Sequence, residues 1–88
     1  MLLGGDFNAK PGERTIRILL ENGWRMLCGT EPTFPAGRPS ARIDYLFGYP
    51  AEAWELESTE VGEAETSDHR PVISVVRLVR SALPQERP

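Results

Sequence analysis

The chain has 88 residues, 40% of them hydrophobic and 26% charged, with a formal net charge of −3. That length makes one small domain with a thin core, because such a chain buries only about two-thirds of its unfolded surface. The acidic balance argues against a freestanding basic nucleic-acid binder, which gathers Lys and Arg on one face; it leaves a nuclease open, because a bound metal supplies the positive charge at the phosphate.

Met1 to Gly5 reads as a short buried strand ending at Asp6, too short for a signal peptide or a membrane span. With Met1 as the natural start, a cytoplasmic location is favoured; an upstream extension leaves the compartment open. Phe7 to Gly12 is a loop punctuated by Pro11-Gly12. Glu13 to Asn22 reads as a helix, with Ile16, Leu19 and Leu20 on one face and Arg14, Arg17 and Glu21 mostly opposite. Glu13 suits its positive N-terminal end, and Asn22-Gly23 is a normal stop. Trp24 to Cys28 is a short strand, and Thr30 to Phe34 is another, interrupted by Pro32. Cys28, the single cysteine, excludes an internal disulfide and reads as a half-buried structural thiol.

After a Pro/Gly-rich loop from Pro35 to Ser40 comes the clearest strand, Arg42 to Gly48. Ile43, Tyr45 and Phe47 alternate with Asp44 and Leu46, and both sets are bulky, as in a central strand. Pro50 ends it. Trp54 to Val61 sets Trp54 and Leu56 against Glu55 and Glu57, which suits an edge strand with an acidic outer face. Gly62 to Ser67 is a loop, Pro71 to Leu78 a last buried strand, and Ser81 to Pro88 a frayed tail. The fold class is α+β: one mostly antiparallel sheet with a flanking helix, formed by residues 1–80. One helix cannot cover both faces of such a sheet, so the bare face should pack on something else.

Three strings carry the chemistry. In Gly4-Gly5-Asp6-Phe7-Asn8, Asp6 and Asn8 leave a strand with side chains two apart, which point the same way in extended chain. A carboxylate there can polarise a water and an amide can donate to a phosphate oxygen; ordinary turn chemistry is the competing reading. In Arg42-Ile43-Asp44-Tyr45, a carboxylate inside an apolar strand needs a partner. Arg42 would make a structural ion pair of it, whereas His69 would make it an imidazole orienter. In Ser67-Asp68-His69-Arg70-Pro71, Pro71 keeps Arg70 extended, so that Asp68 and His69 reach opposite sides, one toward a metal and one toward a phosphate or water. Hard carboxylate oxygens suit magnesium or manganese. Arg38 and Arg42 flank the Pro/Gly-rich loop as further candidates for phosphate contact, and the remaining glutamates read as a solvated face.

In this order and spacing the three strings resemble the last three motifs of the endonuclease/exonuclease/phosphatase superfamily, over Leu2 to about Leu78. That superfamily includes exonuclease III-type enzymes, pancreatic-type deoxyribonucleases, sphingomyelinases, inositol polyphosphate phosphatases and deadenylases. The resemblance implies that this chain supplies half of a four-layer α/β/β/α sandwich. It also implies hydrolysis of a phosphodiester or phosphomonoester by in-line water attack, with Mg2+ or Mn2+. Asp6 would orient or deprotonate the water, Asn8 would bind the scissile phosphate, and Asp44 would orient His69. Asp68 would ligate the metal, and His69 would contact the phosphate or serve in acid/base chemistry. The Asn and Glu that the family's N-terminal half gives to the principal metal have no counterpart here. The expected partners are thus a phosphoester substrate (nucleic acid, lipid headgroup or small molecule) and a missing N-terminal half, or self-association through the bare sheet. The alternative is an inactive half-domain acting as a self-associating or partner-binding module.

Overall fold

The computed structural model describes residues 1–63 and 68–79. The expected tail over residues 81–88 and most of the loop before Asp68 lie outside that range. The class is α+β and mostly antiparallel sheet, with the strands divided between two sheets rather than one. The first sheet has the order β1-β3-β2, from Leu2–Asp6, Asp44–Gly48 and Arg25–Met26, and the second is the hairpin of β4, Trp54–Val61, with β5, Val72–Leu78. One α-helix, α1, spans Arg14–Glu21, and a 3-10 turn at Ala51–Ala53 joins the sheets. No helix among the described residues is long and apolar enough to cross a membrane.

β3 is central, as its two-sided bulk requires. On one face, Tyr45 and Phe47 meet Ile16, Ala9 and Cys28, with Phe7, Leu19, Trp24, Met26 and Val72 packed around them. Phe7 sits edge-on to both Tyr45 and Phe47, at 5.7 and 5.3 Å between ring centres. Ile16 and Leu19 bring the helix to this core, but Leu20 stays 45% exposed because the core lies on the Leu19 side of Ile16. Cys28 is buried outright rather than half-buried. Gly23, at φ 89, ends the helix in the left-handed conformation that glycine adopts without strain.

The other face of β3 is closed at one end by Gly48. A Cβ there would lie 2.7 Å from the Trp54 ring and 2.8 Å from Leu27. Gly48→Ala is therefore expected to destabilise the chain by about 1–3 kcal/mol, read from the urea midpoint, because a rigid indole and a buried leucine must both give way.

Several strands are less buried than their sequence suggests. β1 is exposed at every position, as an edge strand that nothing among the described residues covers on its outer side. β5 alternates half-buried and exposed residues, since the two-stranded sheet offers one supported face. In β4 the register slips between Leu56 and Ser58; that bulge breaks the alternation and leaves Leu56 on the exposed side. Thr30 to Phe34 forms no strand, only an isolated bridge from Phe34 to Ala41. β3 itself begins at Asp44 rather than Arg42.

Candidate functional site

The register of β1 on β3 ends at Asp6 opposite Asp44. Directly opposed residues of an antiparallel pair share a face with their Cβ atoms about 5 Å apart, so two carboxylates there repel. A cation has to come from elsewhere in the fold, and the connection of the β4–β5 hairpin brings it. That segment returns Asp68, His69 and Arg70 to the ends of β1 and β3. His69 Nδ1 lies 2.8 Å from Asp44 Oδ2, and Nε2 lies 3.7 Å from Asp6 Oδ2 and 3.9 Å from Asp68 Oδ1. The imidazole thus stands among three carboxylates from three segments.

Asp68 and His69 occupy a bend, not an extended run, so they converge on one site instead of reaching opposite sides. Backbone bonds set this bend. Ala36 N–H donates to the Asp68 carbonyl at 2.7 Å, and Arg70 N–H donates to the Thr33 carbonyl at 2.7 Å. The Arg70 Nε–H reaches the Ala36 carbonyl at 2.7 Å. The stretch around the Pro/Gly-rich loop is therefore a strap across the histidine, with the Phe34 ring 4.8 Å from the imidazole ring.

Arg42 is not the ion-pair partner of Asp44. Its Nε donates to the Asp44 backbone carbonyl and its Nη1 to the Glu31 carbonyl, both at 2.7 Å, which leaves the Asp44 carboxylate to His69. At 3% exposure Arg42 is also out of reach of a substrate phosphate. Arg38 is exposed, with its backbone N–H on the Pro35 carbonyl. Asn8 has left the strand. It takes φ 49, and its backbone N–H donates to Asp6 Oδ1 at 2.8 Å. This turn ends the two-residue alternation expected to align its side chain with that of Asp6. The turn reading of Asp6 and Asn8 and the placement of Asp6 in the site hold together.

The Asp44 hydrogen bond raises the His69 pKa above its ordinary 6.5; partial burial opposes this, and the charges of Asp44, Asp6 and Asp68 add to it. A pKa raised on folding gives stability that is complete below 6.5 and disappears as the pH rises through the folded value. The urea midpoint is therefore expected to fall as the pH rises above about 6.5, and His69→Gln should flatten that part of the profile.

Asp6, Asp44 and His69 each offer one ligand atom, and these atoms lie within 4.8 Å of one another. Asp44 Oδ2 is already engaged by His69 and by the Thr33 hydroxyl, at 2.8 Å from each. Asp6, at 49% side-chain exposure, is the accessible oxygen donor of these three and suits a hard divalent cation, while Asp68, 76% exposed, lies beside them with Oδ1 3.9 Å from His69 Nε2. Thr33 and Phe34 went unseen in the sequence. They look like two ordinary residues between prolines, and only the packing of the strap on His69 distinguishes them.

The family model for the Endonuclease/Exonuclease/phosphatase family matches residues 1–69, which include Asp6, Asn8, Asp44, Asp68 and His69. No curated protein and no solved structure matches the chain. The match covers well over half of the 88 residues and includes Asp6, Asp44 and Asp68, which stand around the histidine: the chain belongs to the Endonuclease/Exonuclease/phosphatase family.

Proposed function

We propose that the chain is the histidine-bearing part of a divalent-metal-dependent phosphoesterase that hydrolyses a phosphodiester or phosphomonoester by in-line attack of water. The observation that carries this reading is His69 held on Asp44 with its second nitrogen toward Asp6 and Asp68. Asp44 fixes the ring. His69, whose imidazolium is favoured first by the Asp44 hydrogen bond and then by the charges of Asp44, Asp6 and Asp68, donates from Nε2 to a phosphate oxygen, where negative charge builds up. Asp6 orients the attacking water and takes its proton. Asp68 would hold the metal, which when bound supplies positive charge at the phosphate. Asn8 donates to the scissile phosphate from the turn that follows β1. The reading extends to the phosphoester and not to the group it esterifies.

The family's N-terminal Asn and Glu ligands are not among these 88 residues, so the chain by itself is expected to turn over little substrate. The test uses bis(p-nitrophenyl) phosphate and magnesium, with the purified chain alone and co-expressed with the N-terminal half of a family enzyme. Turnover that appears only in the assembled pair, and is lost with EDTA or with His69→Ala, supports the proposal. An assembled, folded pair that stays silent overturns it. Turnover by the pure chain that His69→Ala abolishes would overturn the expectation for the chain alone.

A second reading rests on a separate observation. Leu2 and Leu3 on β1 and Ile73 and Val75 on β5 are 40–52% exposed. Apolar side chains along uncovered strands favour association with a partner or a second copy. A dye-silent monomer in sedimentation would count against it.

A further inference from the structure

The strap contributes a second hydrogen bond to the oxygen that holds His69. Thr33 Oγ1 donates to Asp44 Oδ2 at 2.8 Å, the same atom that His69 Nδ1 reaches at 2.8 Å. Thr33 is fully buried, so no water competes for its hydroxyl. The Ile43 backbone N–H lies 3.4 Å from that hydroxyl oxygen and donates to it, so the hydroxyl's own proton is the one turned toward Asp44. An oxygen that takes one proton from Thr33 is fixed in place and still has a lone pair, which only an N–H can satisfy. Nδ1 must then carry the hydrogen, and Nε2 is the nitrogen presented to Asp6, Asp68 and substrate.

We infer that Thr33 is a positioning residue, whose buried hydroxyl locks the Asp44 carboxylate in the orientation that holds the Nδ1–H of His69. The inference deepens the phosphoesterase reading and rests on it for its functional meaning. Two backbone bonds of Thr33 and one side-chain bond nearby support its placement. Its N–H donates to the Ala41 carbonyl at 2.9 Å, its carbonyl accepts from Arg70 N–H, and Arg42 pins the neighbouring Glu31 carbonyl. The hydroxyl is thus tied to β3 on one side and to the histidine segment on the other.

The test is NMR on the full 88-residue chain without metal. The Nδ1–H proton of His69 is expected as a resolved downfield resonance, present in the wild type and in Thr33→Ser, and lost in Thr33→Val while the amide spectrum stays dispersed. A Thr33→Val chain that keeps the resonance unchanged overturns the inference. So does a Thr33→Ser chain that loses it as fully as Thr33→Val, because the methyl and not the hydroxyl would then matter. Should Thr33→Val fail to fold, the wild type decides: the Thr33 hydroxyl proton must exchange slowly enough to be seen, and fast exchange overturns the proposal. The readout needs no turnover. A hydrolytically silent assembled enzyme would defeat the phosphoesterase reading and leave this result standing.

Discussion

Asp44→Asn is expected to lower turnover of the assembled, metal-dependent enzyme by about ten-thousand-fold, the cost found when the carboxylate orienter of a hydrolase triad becomes an amide. Asparagine keeps the shape of the side chain, so the strap and the β1–β3 ladder should survive. The charge is what disappears. Asp44 gives His69 its shortest charged contact, at 2.8 Å, while Asp6 and Asp68 stand at 3.7 and 3.9 Å. Without Asp44 the ring loses both its anchor and the strongest influence favouring the imidazolium. An amide can also offer its NH2 to Nδ1, which would reverse the protonation of the ring and leave Nε2 carrying the proton in the neutral form.

The same substitution should hardly change stability. Asp44 faces Asp6 across the ladder, so removing one charge relieves a repulsion while it forfeits the attraction to His69. A urea midpoint shifted by no more than about 1 kcal/mol, beside a collapse of turnover, is the expected pair of results. A loss of turnover matched by unfolding would assign Asp44 to the scaffold, and turnover within tenfold of wild type would remove His69 orientation from the mechanism.

The site's residue types were legible in the sequence because each is anomalous where it stands. Asp44 is a charge inside an apolar run, and His69 is the single histidine beside a carboxylate. Their pairing across 25 residues follows from topology, and so does the placement of Asp6 opposite Asp44, a consequence of the β1–β3 register. What alternation could not reveal was partnership. Arg42, two residues from Asp44, was the nearest cation in sequence, yet its guanidinium turned to backbone carbonyls. Thr33 has no charge to mark it, although it reaches the same carboxylate oxygen as the histidine. Burial was misjudged for β1 and β5 for a related reason. An apolar run shows that a strand can be covered, and coverage depends on what else packs there. The bulge in β4 has no composition signal at all, and one unpaired residue was enough to change which side chains face out.

Phe47→Ala is the substitution expected to damage the fold most, by about 3–5 kcal/mol in urea unfolding. Phe47 is fully buried, central to the core cluster, and packed against both Phe7 and Tyr45. A domain of this length holds roughly 4–13 kcal/mol in total, so the loss takes a large share of the stability and can unfold the chain at body temperature. The site should disappear with it. Phe47 shares β3 with Asp44, and Tyr45 between them is anchored by its hydroxyl to the Ala9 and Arg42 carbonyls at 2.8 and 3.0 Å. If the β3 core loosens, the Asp6–Asp44 register loosens too, and His69 loses its seat. Ile18→Ala is the control: Ile18 is 45% exposed on α1, and alanine is the better helix former, so the change should stay within about 0.5 kcal/mol. A Phe47→Ala chain that unfolds at nearly the wild-type midpoint would show that the Tyr45–Phe47 face does not hold this sheet together, and the placement of Asp44 and His69 would need a different support.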